Sequence, residues 1–89
     1  MAEVRVSEGF WEDFEAVWSK PLRARISSAV ELLVSMPLRG SSLDLSEAAL
    51  RACPEGARRI SVPPFDVIYS FDELEDVVWV RALVHARRA

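Results

Sequence analysis

Three stretches of alternating or mostly apolar residues fill the last third of the chain and constrain its fold more than any other feature. They are residues 58–62, 65–71 and 77–84. Alternation with a period of two residues is typical of β-strands that bury one face. Pro63–Pro64 predicts a turn between the first two strands, and the mostly acidic residues 72–76 predict a hairpin between the last two. The stretch 65–71 is apolar on both faces apart from Asp66 and Ser70 and is expected to be a central strand.

The first half of the chain has the spacing of helices behind one short strand. Residues 3–6 alternate between polar and apolar types and predict that strand. Ser7 is a preferred N-cap residue, and Glu8 places a negative charge in the first turn, where the helix dipole favours it. Apolar residues then recur at helical spacing, namely Phe10, Trp11, Phe14, Val17 and Trp18.

A second helix is predicted after a short connection, Ser19–Lys20. Pro21 suits its first turn, and Met36–Pro37 ends it, because the residue before a proline disfavours the helical conformation. Its buried stripe comprises Leu22, Ile26, Ala29, Val30 and Leu33. Residues 37–42 are predicted to be a loop and 46–52 a short helical turn. The predicted fold class is therefore α+β, with an N-terminal helical hairpin, expected to pack as an antiparallel pair, on a small, mostly antiparallel β-sheet.

The size and composition of the chain limit what it can be. With 89 residues it is expected to form a single domain over residues 1–89. Cys53 is the only cysteine, which excludes an intramolecular disulfide bond. The longest apolar run, 29–34, is short and interrupted, so no membrane association is expected. The N-terminus has no apolar signal segment, and we expect a cytoplasmic protein.

Charge is segregated along the chain. The net charge of −3 counts against a protein that coats nucleic acid, because phosphate neutralisation dominates the affinity of such proteins. Acidic residues concentrate at 8–15 and 72–76, whereas several arginines lie in the predicted sheet and tail: Arg58, Arg59, Arg81, Arg87 and Arg88. A local cationic surface is therefore compatible with the negative net charge of the whole chain.

The end of the chain places its only histidine near two arginines. By strand alternation, His85 continues the face that carries Trp79, Arg81 and Leu83, and Arg87 follows on that face if the strand extends. Imidazole is the natural proton carrier near neutral pH, and a guanidinium group grips phosphate through paired hydrogen bonds. The tail could therefore hold a phosphate and move a proton. For residues of these types, a solvated chain end is the commoner arrangement.

The other aromatic and acidic residues favour structural roles. Tyr69 lies between apolar residues at period two and is expected in the core with its hydroxyl hydrogen-bonded. The aromatic stripe of the first helix is expected to be core or partner interface. One histidine and one distant cysteine do not make a zinc site, and the acidic segment 72–76 lacks the glycine of a calcium loop. We expect neither a metal nor a cofactor.

Four segments, in this order, resemble the RelE/ParE superfamily of toxins from bacterial type II toxin–antitoxin systems. They are Met36–Pro37 through Gly40 to Leu43, Arg58–Val62, Phe65–Tyr69, and Val77 to Arg87. The third is similar to the superfamily's aromatic-Arg-hydrophobic-hydrophobic-Tyr strand. The fourth is similar to its valine-rich last strand, which ends in a short turn followed by arginine. The resemblance covers nearly the whole chain.

This resemblance implies a small cytoplasmic toxin that a cognate antitoxin neutralises by wrapping its helices or sheet. The leading hypothesis is inhibition of translation by ribosome-dependent cleavage of mRNA, which would make the chain an endoribonuclease. Catalytic roles then fall on Arg59 and Arg87, which grip phosphate, and on His85, which shuttles a proton. RNA-binding roles fall on the other basic residues of the sheet and tail, Arg58, Arg81 and Arg88.

Two departures from the nuclease pattern keep alternatives open. Asp66 stands where nuclease members of the superfamily have an arginine, and Ala89 is the last residue, before the tyrosine that many of them use as an acid. The first alternative is a non-enzymatic inhibitor of DNA gyrase, as in the ParE branch. The second is a catalytically decayed member that serves only as an antitoxin partner. The exposed aromatic faces predict either a homodimer or a toxin–antitoxin hetero-oligomer.

Overall fold

A computed structural model describes residues 2–42 and 57–85. In chain order its elements are β1 (Glu3–Val6), α1 (Glu8–Ala16), α2 (Lys20–Ser35), β2 (Ser41–Ser42), β3 (Arg58–Val62), β4 (Phe65–Asp72) and β5 (Val77–His85). The predicted turn at 46–52 lies outside the described residues, as do Cys53, Arg87 and Arg88. Among the residues described, neither helix is long and apolar enough to cross a membrane.

The strands form one sheet in the order β1-β5-β4-β3-β2. Strands β3, β4 and β5 pair antiparallel, as their short connections require, and β4 is central as predicted. Strand β1 pairs parallel with β5 at one edge. At the other edge β2 pairs with β3, although the sequence predicted a loop there. Two adjacent serines carry no alternation, so this short strand had no sequence signal.

Both helices pack on the same face of the sheet, which confirms the predicted α+β architecture. The Ser7 hydroxyl accepts the Phe10 N–H at the start of α1 (3.1 Å), and the Ser19 hydroxyl accepts the Leu22 N–H at the start of α2 (3.4 Å). The core between the two layers contains Phe10, Val17, Ile26, Leu33, Val62, Val67, Tyr69, Val78, Val80 and Leu83. We call this side of the sheet its helix face and the opposite side its outer face.

Two residues of the predicted apolar stripe of α1 are exposed instead of buried. Trp11 is 52% exposed, and Trp18 is 91% exposed. Trp18 leaves the stripe because α1 ends at Ala16 and Val17 already has an extended backbone. The stripe therefore buries Phe10 and Val17 and leaves both indoles on the surface, which favours the partner-interface interpretation.

A β-bulge in β5 changes which of its residues face the helices. Ile68 of β4 pairs with Ala82 and Tyr69 pairs with Val80, so Arg81 is an extra residue on β5. Residues after the bulge consequently switch faces, and Leu83 joins Val80 in the core. The prediction that four residues share one face therefore holds for Trp79 and Arg81 and is wrong for Leu83 and His85.

Gly40 is a position where the fold requires glycine. A Cβ added there would lie 2.5 Å from the Arg59 carbonyl oxygen and 2.6 Å from the Tyr69 hydroxyl oxygen. We expect Gly40→Ala to lower the free energy of unfolding by about 1–3 kcal/mol, because backbone and a buried ring cannot both move aside. Chemical denaturation measures this change.

Gly9→Ala is the matched control for that substitution. A Cβ at Gly9 would meet nothing within 4 Å, and the residue lies in α1, where alanine is the better helix former. We expect stability to be unchanged or to rise by up to about 1 kcal/mol. Equal losses in both variants would contradict the packing explanation for Gly40.

Candidate functional site

The candidate catalytic residue Arg59 projects from the outer face beside a carboxylate. Arg59 Nη1 lies 4.0 Å from Asp66 Oδ2, and the arginine side chain is 39% exposed while that of Asp66 is 12% exposed. A phosphate that approached Arg59 would therefore meet the negative charge of Asp66 at the same place. This is the charge that the sequence flagged as a departure from the nuclease pattern.

His85 lies on the other side of the sheet from Arg59. It pairs with Phe65 at the end of β5, and its ring meets the Phe65 ring edge-on at 5.4 Å. Since Phe65 packs against the core, His85 projects from the helix face. The described residues thus do not bring His85 and Arg59 together, and Arg87 lies outside them. The catalytic assignment of these three residues stays a prediction.

Arg58, predicted to bind RNA, is engaged in a structural contact. It points to the helix face, and its Nη1 donates to the Gly40 carbonyl oxygen at 2.6 Å and to that of Leu38 at 3.5 Å. These bonds attach the segment after α2 to β3. An RNA-binding role for Arg58 stays a prediction, as does that of Arg88, which lies outside the described residues.

Tyr69 completes this attachment from the core. Its ring is fully buried, and its hydroxyl oxygen accepts the Gly40 N–H at 2.8 Å. Burial raises the pKa of the Tyr69 hydroxyl, while the Gly40 hydrogen bond and the positive charge of Arg58 act in the opposite direction. The expectation of a core tyrosine with a satisfied hydroxyl is confirmed.

Arg81, the extra residue of the bulge, belongs to an aromatic and cationic cluster on the outer face. Its Cζ lies 5.4 Å from the centre of the Trp79 ring, and its Nε donates to Ser70 Oγ at 3.2 Å. Arg5 on the neighbouring strand places its own Cζ 5.5 Å from the same ring. Sequence reasoning missed Arg5 and Trp79, because only the parallel β1–β5 pairing brings Arg5 opposite Trp79.

An apolar groove runs between the two helices and β1 on the helix face. Its volume is about 210 Å³, and its lining includes Val6, Phe10, Trp11, Phe14 and Val30. We call it the helix groove. The Trp11 and Phe14 rings stack at 5.7 Å along it. Large apolar side chains exposed along a groove are typical of protein–protein interaction sites.

Solved structures that are similar to this chain include archaeal and bacterial RelE–RelB-type toxin–antitoxin complexes. The RelE–RelB complex of Pyrococcus horikoshii OT3 contains a chain with a TM-score of 0.78 and 17% identity, over 99% of this chain and 98% of that one. A chain of the RelBE2 complex of Mycobacterium tuberculosis has a TM-score of 0.77 and 17% identity, over 94% of this chain and 96% of that one. A chain of the Escherichia coli RelBE complex has a TM-score of 0.70 and 14% identity, over 99% of this chain and 100% of that one. The chain has the same fold.

The family itself is defined at the level of sequence. The family model described as the ParE toxin of the type II toxin–antitoxin system parDE matches residues 4–89. The chain therefore belongs to the ParE toxin family, and it is the toxin of a type II toxin–antitoxin pair. No protein of curated function shows significant sequence similarity to it. The resemblance inferred from the order of strands and motifs is thereby confirmed.

Because Tyr69 is the only tyrosine, its ionisation can be followed in the intact protein. We expect the near-ultraviolet absorbance of tyrosinate to appear with a midpoint above 10.0, the ordinary pKa, in the folded state and at the ordinary value in denaturant. Since the unfolded chain then releases the proton first, stability must fall as pH rises from 10.0 through the folded pKa. A folded-state midpoint at or below the ordinary value would contradict burial as the dominant effect.

Proposed function

We propose that this toxin acts in the cytoplasm without cleaving RNA, by binding and inhibiting DNA gyrase, and that a cognate antitoxin neutralises it. The observation that carries the first part is the location of Arg59 and His85 on opposite faces of the sheet. Membership of the ParE family supports gyrase as the target, since the ParE branch of the superfamily poisons this enzyme.

Cleavage of a phosphodiester bond sets a geometric requirement that inhibition by binding does not. A proton-transfer group must come within hydrogen-bond distance of the reacting oxygen while a cation holds the same phosphate. Arg59 faces outward beside Asp66, whereas His85 faces the helix side beside Phe65. A toxin that acts by binding needs only a complementary surface, so the separation of Arg59 from His85 does not count against it.

The antitoxin part of the proposal rests on the helix groove. The similar solved structures include RelE–RelB and RelBE toxin–antitoxin complexes. In this chain the groove exposes Trp11 and Val6, and residues of this kind are buried most favourably by an apolar partner segment. We therefore propose a toxin–antitoxin hetero-oligomer, in preference to a homodimer, with the antitoxin in the helix groove.

Ribosome-dependent mRNA cleavage is the second candidate, and one observation favours it. Arg59 and Arg81 both project from the outer face, so two of the basic residues predicted to contact RNA lie on the same side of the sheet. In this hypothesis Arg59 and Arg87 hold the phosphate and His85 transfers the proton. Its partners are the ribosome and its mRNA.

One experiment separates the two targets. The purified chain is expected to abolish supercoiling by purified DNA gyrase, and its expression without antitoxin is expected to arrest growth and to induce DNA damage signalling. Mapping of mRNA 5′ ends in the same cells should show no new cuts. Uninhibited gyrase together with codon-phased cuts, lost in a folded Arg87→Ala variant, would replace the gyrase proposal by mRNA cleavage.

The antitoxin site is tested by a charge placed in the helix groove. Trp11→Glu is expected to weaken binding of the antitoxin encoded beside the toxin by at least about 30-fold, or 2 kcal/mol, as for a central aromatic anchor. Titration calorimetry measures the change. Leu74→Glu is the control, because Leu74 is 98% exposed in the β4–β5 turn and does not line the groove. Equal affinity of both variants would contradict the proposed site.

A further inference from the structure

The helix groove is apolar inside, but carboxylates border it. Glu31 of α2 is one of its lining residues and is exposed. On α1, Glu8 and Glu15 lie one turn before and one turn after Trp11, and residues at this spacing are neighbours on a helix surface. Within the described residues, none of these three glutamates forms an ion pair. A partner that covers Trp11 therefore also approaches negative charge from both helices.

The basic residues of the same two helices do not balance this charge. Residues 8–16, which form α1, include four carboxylates and no lysine or arginine. On α2, Arg23 lies about 12 Å before Glu31 along the helix axis, Lys20 lies farther still, and Arg25 lines a different cleft beside β3. Charges are screened over about 8 Å at physiological ionic strength, so Arg23 and Lys20 do not neutralise Glu31. The Glu31 end of the groove is therefore electronegative.

This charge sets a requirement on the segment that fills the groove. An uncharged apolar segment would remove Glu31 from water without giving its carboxylate a partner, and the desolvation of an unpaired charge is costly. A lysine or arginine in the segment would instead pair with that carboxylate. The exposed Trp11 indole offers the same cation a second favourable contact, since ammonium and guanidinium groups bind over aromatic faces. The carboxylate and the indole thus favour the same chemistry in the partner.

From these observations we propose that the segment in the helix groove is cationic and amphipathic, with apolar side chains against Val6 and Phe14 and a lysine or arginine between Trp11 and Glu31. This inference rests on the proposed placement of the antitoxin in the groove, and it adds the charge that the antitoxin presents there. The net charge of −3 on the toxin acts in the same direction, because it attracts a basic partner at long range. An acidic segment would meet like charge on both helices.

Charge substitutions at Glu31 test this proposal with the intact toxin and the antitoxin encoded beside it. Removal of the charge in Glu31→Gln should weaken binding by at least about 10-fold, the lower range for close charge pairs across an interface. Reversal of the charge in Glu31→Lys should weaken it by about 100-fold or more, since like charges then face each other. Titration calorimetry measures both changes. The wild-type affinity should fall as salt rises from low to physiological concentration.

Glu12→Lys is the matched control for Glu31→Lys. It reverses one charge at an exposed residue of α1 that does not line the groove. It should change the affinity by at most about fivefold, as for an exposed charge. Circular dichroism verifies that each variant is folded. Equal effects of Glu12→Lys and Glu31→Lys would overturn the proposal, because they would indicate a general attraction between net charges instead of a site.

Two substitutions at Trp11 separate this inference from the placement of the antitoxin. Trp11→Glu and Trp11→Lys remove the same indole but introduce opposite charges. If the antitoxin lies in the groove and is cationic there, both weaken binding, and Trp11→Lys does so by at least about 10-fold more. If both weaken binding equally, or Trp11→Glu does so more, the antitoxin occupies the groove but the inferred charge is wrong. If neither weakens binding, the antitoxin lies elsewhere and both proposals are overturned.

Discussion

The bond from the Ser7 hydroxyl to the carbonyl oxygen of Arg81 joins the two layers of the molecule at the point where β5 changes face. The hydroxyl accepts a hydrogen bond from the first turn of α1 and donates one to the bulge. The start of the helix and the position of the bulge are therefore fixed together. Before the bulge, Val78 and Val80 fill the core, and after it Leu83 does. The locations of Leu83 and His85 on the helix face both follow from this one register change, whereas Arg81 stays on the outer face with Trp79.

A second set of contacts explains why arginines in this sheet are not interchangeable. Arg58 is attached to two carbonyl oxygens of the segment after α2, and Gly40 in that segment donates to the buried Tyr69 hydroxyl. Arg59, the next residue, points to the opposite face and lies near Asp66. Two adjacent residues of one type therefore have different tasks, one holding the loop against the sheet and the other contributing charge to the surface.

The sequence predicted most of the fold because its signals were local. Serine caps, a proline in the first turn, alternation in three strands and a buried tyrosine each depend on neighbouring residues, and the structure confirms them. The face of His85 was wrong because a bulge shifts alternation without any marker in sequence. The Arg5–Trp79 contact was missed because residues far apart in sequence meet only through the parallel pairing of β1 with β5. Both failures concern the candidate sites, where long-range register decides which side chains converge.

The parallel pairing of β1 with β5 also determines when this toxin can fold. Ser7 and Arg81 are 74 positions apart, and among the described strands β1 pairs with β5 alone. The closure of such a long loop comes late and makes folding slow relative to local pairing. Until β5 has been synthesised, β1 has no strand to pair with, and the edge of the sheet that contains β1 and β5 cannot form. Synthesis therefore delays the appearance of a competent toxin until β5 has been made.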